Sequence, residues 1–261
     1  MVNLTLRELR GKYKRSALGW LWSLLNPLAT MAIFTVVFRF FLRVEVPRGE
    51  PSGMQVFAFF LVCGLLPWNF LSNAVAGSLS SLLGNANLIK KVYFPREVLV
   101  VANVASWLVA FLIELGVLAV ALLVAGNAVL PWLVVVLLLV VVQTVFVTGI
   151  ALMLSVLNVY FRDVQHLVGI VLQLWFYATP VVYPLMLVPV RAEVLGIELP
   201  VRFLYELNPM VAFVEAYRDC LYELRFPPAG DVMEMVVAAA LALAAGVAVF
   251  RRMEPKLAEE L

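Results

Sequence analysis

Few side chains in this sequence are equipped for chemistry, and those few are scattered. The one histidine, His166, sits in "LNVYFRDVQH", and the two cysteines, Cys63 and Cys220, lie far apart, the first inside an apolar run. A lone histidine beside an apolar run is more often a hydrogen-bonding structural group than a base or ligand. Two cysteines so placed suggest neither a disulfide framework nor a metal site, and both read as structural. Glu114 stands deep in an apolar stretch, where a carboxyl must pair, stay protonated or face water. Arg162 and Asp163 are adjacent, so they do not face each other on a helix and each caps or pairs elsewhere. No G-x-x-x-x-G-K-S/T phosphate cradle occurs, because Gly11 and Lys12 lack the upstream glycine and the downstream hydroxyl. ATP hydrolysis by that route is excluded. A membrane-embedded enzyme would cluster His, Asp or Glu at membrane depth, and an ion channel would repeat a filter or charged rings; neither pattern occurs.

What the sequence does concentrate is cations beside aromatic rings. In "RGKYKRSALGWLWSLLNP", residues 10–27, Arg10, Lys12, Lys14 and Arg15 precede Trp20 and Trp22. Leu6, Leu9, Tyr13, Ala17 and Trp20 share one helical sector and Arg7, Arg10 and Lys14 line its neighbour, the pattern of an interfacial amphipathic helix over residues 1–23. Such cations meet anionic headgroups at ~1 kcal/mol each, and the tryptophans suit the interfacial belt. A plain positive-inside anchor is the alternative reading. The apolar stretch that follows is too long for a signal peptide. A second stretch, "GSLSSLLGNANLIKKVYFPRE" at 77–97, carries Leu88, Ile89 and Val92 at partly helical spacing with Lys90, Lys91, Tyr93 and Phe94, and stops at Pro95. A short helix presenting apolar, aromatic and basic groups together is a candidate docking knob.

The elements that must position these groups follow from composition. Apolar residues make up 64% of the chain and charged ones 14%, with a mean hydropathy of +1.00, far from the soluble balance of roughly half and a quarter. No polar stretch is long enough to fold separately, so residues 1–261 read as one membrane domain. A hydrocarbon core about 30 Å thick needs ~20 apolar residues per helix. Six such stretches occur, at 24–41, 56–75, 98–124, 129–157, 167–187 and 232–250. The fifth holds Pro180 and Pro184, with Pro189 just beyond, which must bend or break it. Placing the amino terminus in the cytoplasm puts 12 of the 19 basic residues inside, so the positive-inside rule favours both termini there. Between the last two spans, Asn208 can cap a helix with Pro209 at its first position. Met210, Phe213, Val214, Tyr217, Leu221 and Leu224 would then share one side, with Glu215, Arg218 and Asp219 toward water or a partner, so the helix should lie on the outer surface. The fold class is an all-α polytopic membrane protein: six spans, an amino-terminal interfacial helix, and short external re-entrant or amphipathic helices between spans five and six.

The ordered set "LRELRGKYKRSALGWLWSLLNPL", "GLLPWNFLSNAVAGSLSSLLGNANLIKKVYFPREVL", "LNVYFRDVQHLVGIVLQLWFYATPVVYP" and "LNPM" followed by "EAYRD" closely resembles the permease subunit of bacterial polysaccharide ABC exporters of ABC-2 type. That family moves O-antigen, capsule or teichoic acid, and the match runs to about Asp219. The resemblance implies a homodimer in the bacterial inner membrane, joined by two copies of a separate nucleotide-binding ATPase that holds ATP and Mg, with no cofactor in this chain and no nucleic acid as partner. It implies a glycan on a polyprenyl diphosphate as cargo. It makes 78–97 the coupling loop, with Asn87, Leu88, Ile89, Lys90, Lys91, Tyr93, Phe94, Pro95 and Arg96 facing the ATPase, and 179–231 a region that helps close the external mouth. Arg10, Lys12, Lys14 and Arg15, flanked by Trp20 and Trp22, would meet membrane lipid and the diphosphate. A sugar polymer slides best over aromatic faces, which stack on its C–H faces without trapping it. Phe34, Phe38 and Phe41, at helical spacing, and Gln173 with Tyr177 are the candidate channel lining, or else they pack against neighbouring helices. An ABC-2 exporter of a drug or small lipid is the alternative within the family.

Overall fold

The structure is a computed structural model that describes residues 48–92, 94–194 and 197–260, with 5, 25, 29, 32–33 and 36–41 upstream. The expected interfacial helix, apart from Thr5, and 8 of the 18 residues of the expected first span lie outside the described residues. Of that span, a short π-helical piece at Val36–Phe41 is described.

The centre of the bundle is α1 (Phe57–Leu79). Its apolar window is 72% buried, against 17–39% for the other long helices. Pro67 interrupts its backbone ladder, and Gln143 donates to the Pro67 carbonyl at 2.8 Å. A short turn follows, with the six-residue α2 (Ala86–Lys91), then α3 (Glu97–Val124) and α4 (Leu133–Tyr160). With no hydrophobic drive between helices in lipid, association rests on close packing and polar contacts. Asn103 supplies one such contact, donating to the Ala74 carbonyl at 3.1 Å and to Ser78 Oγ at 2.9 Å. Asn158 supplies another, donating to the Leu79 carbonyl at 2.8 Å.

The fifth expected span is shorter than 167–187. Helix α5 (Val164–Tyr177) has 14 residues, which at 1.5 Å per residue cover about 21 Å, less than a hydrocarbon core of about 30 Å. It ends before Pro180, which has no N–H to continue the ladder and biases its predecessor away from helix. The chain then runs irregularly into a two-stranded antiparallel ribbon, β1 (Ala192–Val194) and β2 (Ile197–Leu199), with Val194 opposite Ile197. That ribbon is the one departure from the all-α expectation among the described residues. A short α6 (Val201–Glu206) follows.

Helix α7 (Pro209–Arg218) starts as the sequence predicts, with the Asn208 side chain accepting from the Met210 N–H at 3.1 Å. It does not lie on the surface. Met210, Phe213, Val214, Ala216 and Tyr217 are all fully buried, and so are Arg218 and Asp219, at 1% and 2% exposed. The prediction placed the charges outward because a charge normally seeks water; here Arg218 finds the buried Pro180 and Val181 carbonyls and Asp219 pairs with the half-exposed Arg225, and Val211, Ala212 and Ala216 make the supposedly polar side apolar. Helix α7 therefore enters the bundle against α1 and the last long helix, α8 (Ala229–Met253). Helices α4 and α8 cross at two glycines: a Cβ built on Gly246 would come within 2.1 Å of the Gly149 carbonyl oxygen. After α8 the chain turns through Glu254–Lys256 into α9 (Leu257–Glu260). The four long helices match the second, third, fourth and sixth expected spans.

Candidate functional site

The bundle has a basic end and an acidic end, and each carries a candidate site. At the basic end, the turn between α1 and α3 is held by Leu82, fully buried, and Ile89, 6% exposed, both in the main apolar core. Leu88 and Phe94 pack half-buried against the same core. With those side chains turned inward, Asn87, Lys90, Lys91 and Pro95 face outward. They are joined by Val92, 52% exposed, an apolar residue that the docking set left out although its place between Lys91 and Tyr93 marks it. Tyr93 lies outside the described residues. Arg96 turns aside and donates from Nη1 to the Glu254 carbonyl; nothing in the local sequence signals that long-range contact.

The adjacent α4–α5 turn exposes Phe161, Arg162, Asp163 and His166. Asp163 stands at the N-cap of α5, but its side chain makes no capping bond; its backbone carbonyl accepts from Leu167 at 3.0 Å. Along α5, Val168 and Leu172 face the core while Leu167, Ile170, Val171, Leu174 and Tyr177 stay exposed. Gln173 joins that exposed side, so both α5 residues named as lining share a free face. Of the other lining residues, Phe34 and the Phe38 side chain lie outside the described residues, while Phe41 is 75% exposed. The proposed lipid-diphosphate residues Arg10, Lys12, Lys14, Arg15, Trp20 and Trp22 also lie outside them. Glu114 is half-buried on α3 and has an interaction partner. Cys63 and Cys220 are buried free thiols.

At the acidic end, two polar hubs fasten the broken end of α5 to α7. Asn208 Oδ1 accepts from Trp175 Nε1 at 2.7 Å, and its Nδ2 donates to the Ala178 carbonyl at 3.1 Å and Thr179 Oγ1 at 3.0 Å. Arg218 donates from Nη1 to the Pro180 carbonyl and from Nη2 to the Val181 carbonyl, each at 2.6 Å. It pairs with Glu215 at 2.8 Å and lies 3.8 Å over the Phe60 ring. A helix end leaves carbonyls without intrahelical partners; these side chains satisfy them here. Close by, Arg225 Nη2 meets Asp219 Oδ1 at 2.7 Å, yet burial still pushes the Asp219 carboxyl up to about 6. Glu206, Glu215, Asp231 and Glu234 rim a cavity of about 420 Å³ with Phe203 and Leu207. Among the described residues, no group of three or more His, Cys, Asp or Glu is placed to hold a metal. The sequence pattern located Asn208 correctly and missed Arg218, because periodicity cannot tell a solvated cation from a buried one.

The chain is 33% identical to an O-antigen export system permease protein of Myxococcus xanthus, across all of this chain and 95% of that relative. It is 32% identical to one from Klebsiella pneumoniae over 84% of this chain and 78% of the relative. It is 25% identical to the polysialic acid transport protein of Escherichia coli over 84% and 79% respectively. The family profile described as ABC-2 type transporter matches residues 1–222, which take in the basic knob, α5 and the buried α7, and so this multi-pass membrane chain belongs to the ABC-2 type transporter family.

Proposed function

We propose that the chain is the membrane-spanning subunit of an ATP-driven exporter that moves a lipid-linked polysaccharide of O-antigen, capsule or teichoic acid type out of the cytoplasm. The observation that carries this reading is similarity along the full chain to an O-antigen export permease. Two copies pair in the inner membrane, with both termini in the cytoplasm, and each binds one ATPase subunit, which supplies the bound ATP and Mg. The basic end is cytoplasmic, in keeping with the positive-inside rule.

In this reading the ATPase grips Asn87, Lys90, Lys91, Val92, Tyr93 and Pro95. Because Leu82, Leu88, Ile89 and Phe94 seat the knob in the core, a displacement of the knob moves α1 and α3 with it. The free face of α5, bearing Gln173 and Tyr177, borders the passage between the two copies, and its aromatic and apolar surface lets hydroxylated sugar units slide. The amino-terminal cations Arg10, Lys12, Lys14 and Arg15 receive the diphosphate of the lipid carrier. The segment from Ala178 to the end of α7 closes the outer mouth.

The test uses the permease purified with the ATPase encoded beside it. Replacing Tyr93 and Phe94 by alanine is expected to lower both co-purification and ATP turnover, and unchanged assembly and turnover would remove this loop as the docking surface. Tyr177→Ala is expected to slow the appearance of glycan outside the cell with assembly intact. Normal export in that variant and in Phe34→Ala would take both residues off the passage.

A further inference from the structure

The last residues of the chain bear on the knob in a way that neither sequence motifs nor family resemblance assign. Helix α8 ends at the basic end, and its final carbonyls, like those of any helix end, need donors from outside the helix. Side chains of two other helix ends supply them. Tyr160, the last residue of α4, donates its hydroxyl to the Met253 carbonyl at 2.7 Å. Arg96, the N-cap residue of α3, donates from Nη1 to the Glu254 carbonyl. Beyond them α9 folds back against α2 and α4, and Leu257 is fully buried in the same apolar cluster as Leu82, Ile89 and Phe250. The ends of α3, α4 and α8 thus converge beside the knob.

We propose that residues 253–260 form a strut that sets the position of the knob, and that Arg96, Tyr160 and Leu257 are positioning residues for energy transfer from the ATPase. The inference rests on the reading of α2 as the docking knob. Its physical content is a second route for force. The knob is joined covalently to α1 and α3 alone, which flank it in sequence, but the strut also ties it to α4 and α8. Those two helices are locked together at Gly149 and Gly246, so a tilt of the knob reaches them as one body. Without the strut the knob can still be gripped, but it moves α4 and α8 less, through contacts such as Asn158 with Leu79, and more ATP is hydrolysed per glycan exported.

The test uses the complete permease–ATPase complex in proteoliposomes, with a spin label on Gly84→Cys, an exposed position in the turn before α2 that has nothing within 4 Å of an added Cβ and is not among the gripped residues; the native thiols are both buried. Three changes are compared: Tyr160→Phe, Leu257→Ala, and a chain ending at Arg252. The expected result is a more mobile label and less glycan exported per ATP, by about threefold for Tyr160→Phe, which loses one neutral hydrogen bond, and about tenfold for the shortened chain. Maximal hydrolysis should stay within about twofold, because the gripping residues are untouched. A label as ordered as in the unaltered protein, with unchanged export per ATP in Tyr160→Phe and Leu257→Ala, overturns the strut even if the shortened chain does not fold. A label whose spectrum is the same with and without the ATPase overturns instead the docking reading on which it stands.

Discussion

Arg218→Ala removes a cation that is only 1% exposed. The Pro180 and Val181 carbonyls, each 2.6 Å from a guanidinium nitrogen, lose their charged donors. A buried acceptor left unsatisfied costs about 1–3 kcal/mol, so ~1.5 kcal/mol for each of the two is a conservative figure. The contact with the Phe60 ring adds ~1 kcal/mol. Glu215, with a quarter of its side chain exposed, can rehydrate, so its lost pairing counts for well under ~1 kcal/mol. The total is about 4 kcal/mol, inside the 3–5 kcal/mol typical of removing one partner from a buried pair. At about 2–4 °C per kcal/mol for a chain of this size, unfolding followed by tryptophan fluorescence in detergent should shift down by about 8–16 °C. Arg218→Lys keeps the charge but not the planar fork that reaches both carbonyls, so it should recover less than half of the loss. A midpoint for Arg218→Ala within about 2 °C of the unaltered protein would refute the reasoning, and so would a lysine variant as stable as the original.

Gly246→Ala should be among the most damaging one-carbon additions, because its Cβ would sit 2.1 Å from a backbone oxygen of α4 and the helices must separate. A loss of about 3 kcal/mol is expected, whereas Gly169→Ala, with nothing within 4 Å of its Cβ, should leave the melting point equal or higher. Asn208→Ala deletes the cap of α7 and the acceptor of Trp175 Nε1, and should cost about 2 kcal/mol by the same melt. Asp219 has a folded-state pKa of about 6, raised by burial from 3.8, so the folded protein holds that proton more tightly than the unfolded chain. Its contribution to stability is complete below about pH 4 and is lost as the pH rises through about 6. Melting curves across that window should show a decline that Asp219→Asn makes shallower, since burial raises the Glu223 carboxyl as well, and parallel profiles for the two proteins would contradict the assignment.

Long apolar stretches and Asn-Pro capping were legible in the sequence because they depend on local rules. Hydropathy over ~20 residues located α1, α3, α4 and α8, and Asn208 with Pro209 marked the start of α7. What stayed illegible depends on partners distant in sequence. Arg218 looked like a surface residue because its acceptors, Pro180 and Val181, lie 37–38 positions away. Arg96 looked like part of the docking face, yet its partner is 158 positions off. The extent of α5 was overestimated for a third reason: residues 178–187 are apolar enough to count toward a span, but Pro180 and Pro184 forbid the helix that hydropathy assumes. In the knob, composition predicted a short helix, which α2 forms, while the division between seated residues (Leu88, Ile89, Phe94) and presented ones (Asn87, Lys90, Lys91) emerged only from the packing of α2.

The brevity of α5 has a consequence for the work of moving a water-loving chain through oil. Its turns reach across only some two-thirds of the hydrocarbon thickness, and beyond them lie the side-chain-bonded peptide groups of residues 178–181, the Asn208 amide, and the hydroxyls of Tyr183 and Tyr205, which stand 3.3 Å apart. A sugar unit leaving the Tyr177 end of the helix would regain hydrogen-bonding company several ångströms before the lipid itself ends. Where the cargo follows α5, as proposed, the thickness of low-dielectric material to be crossed, and with it the dehydration penalty per unit, would be set by a proline rather than by the bilayer.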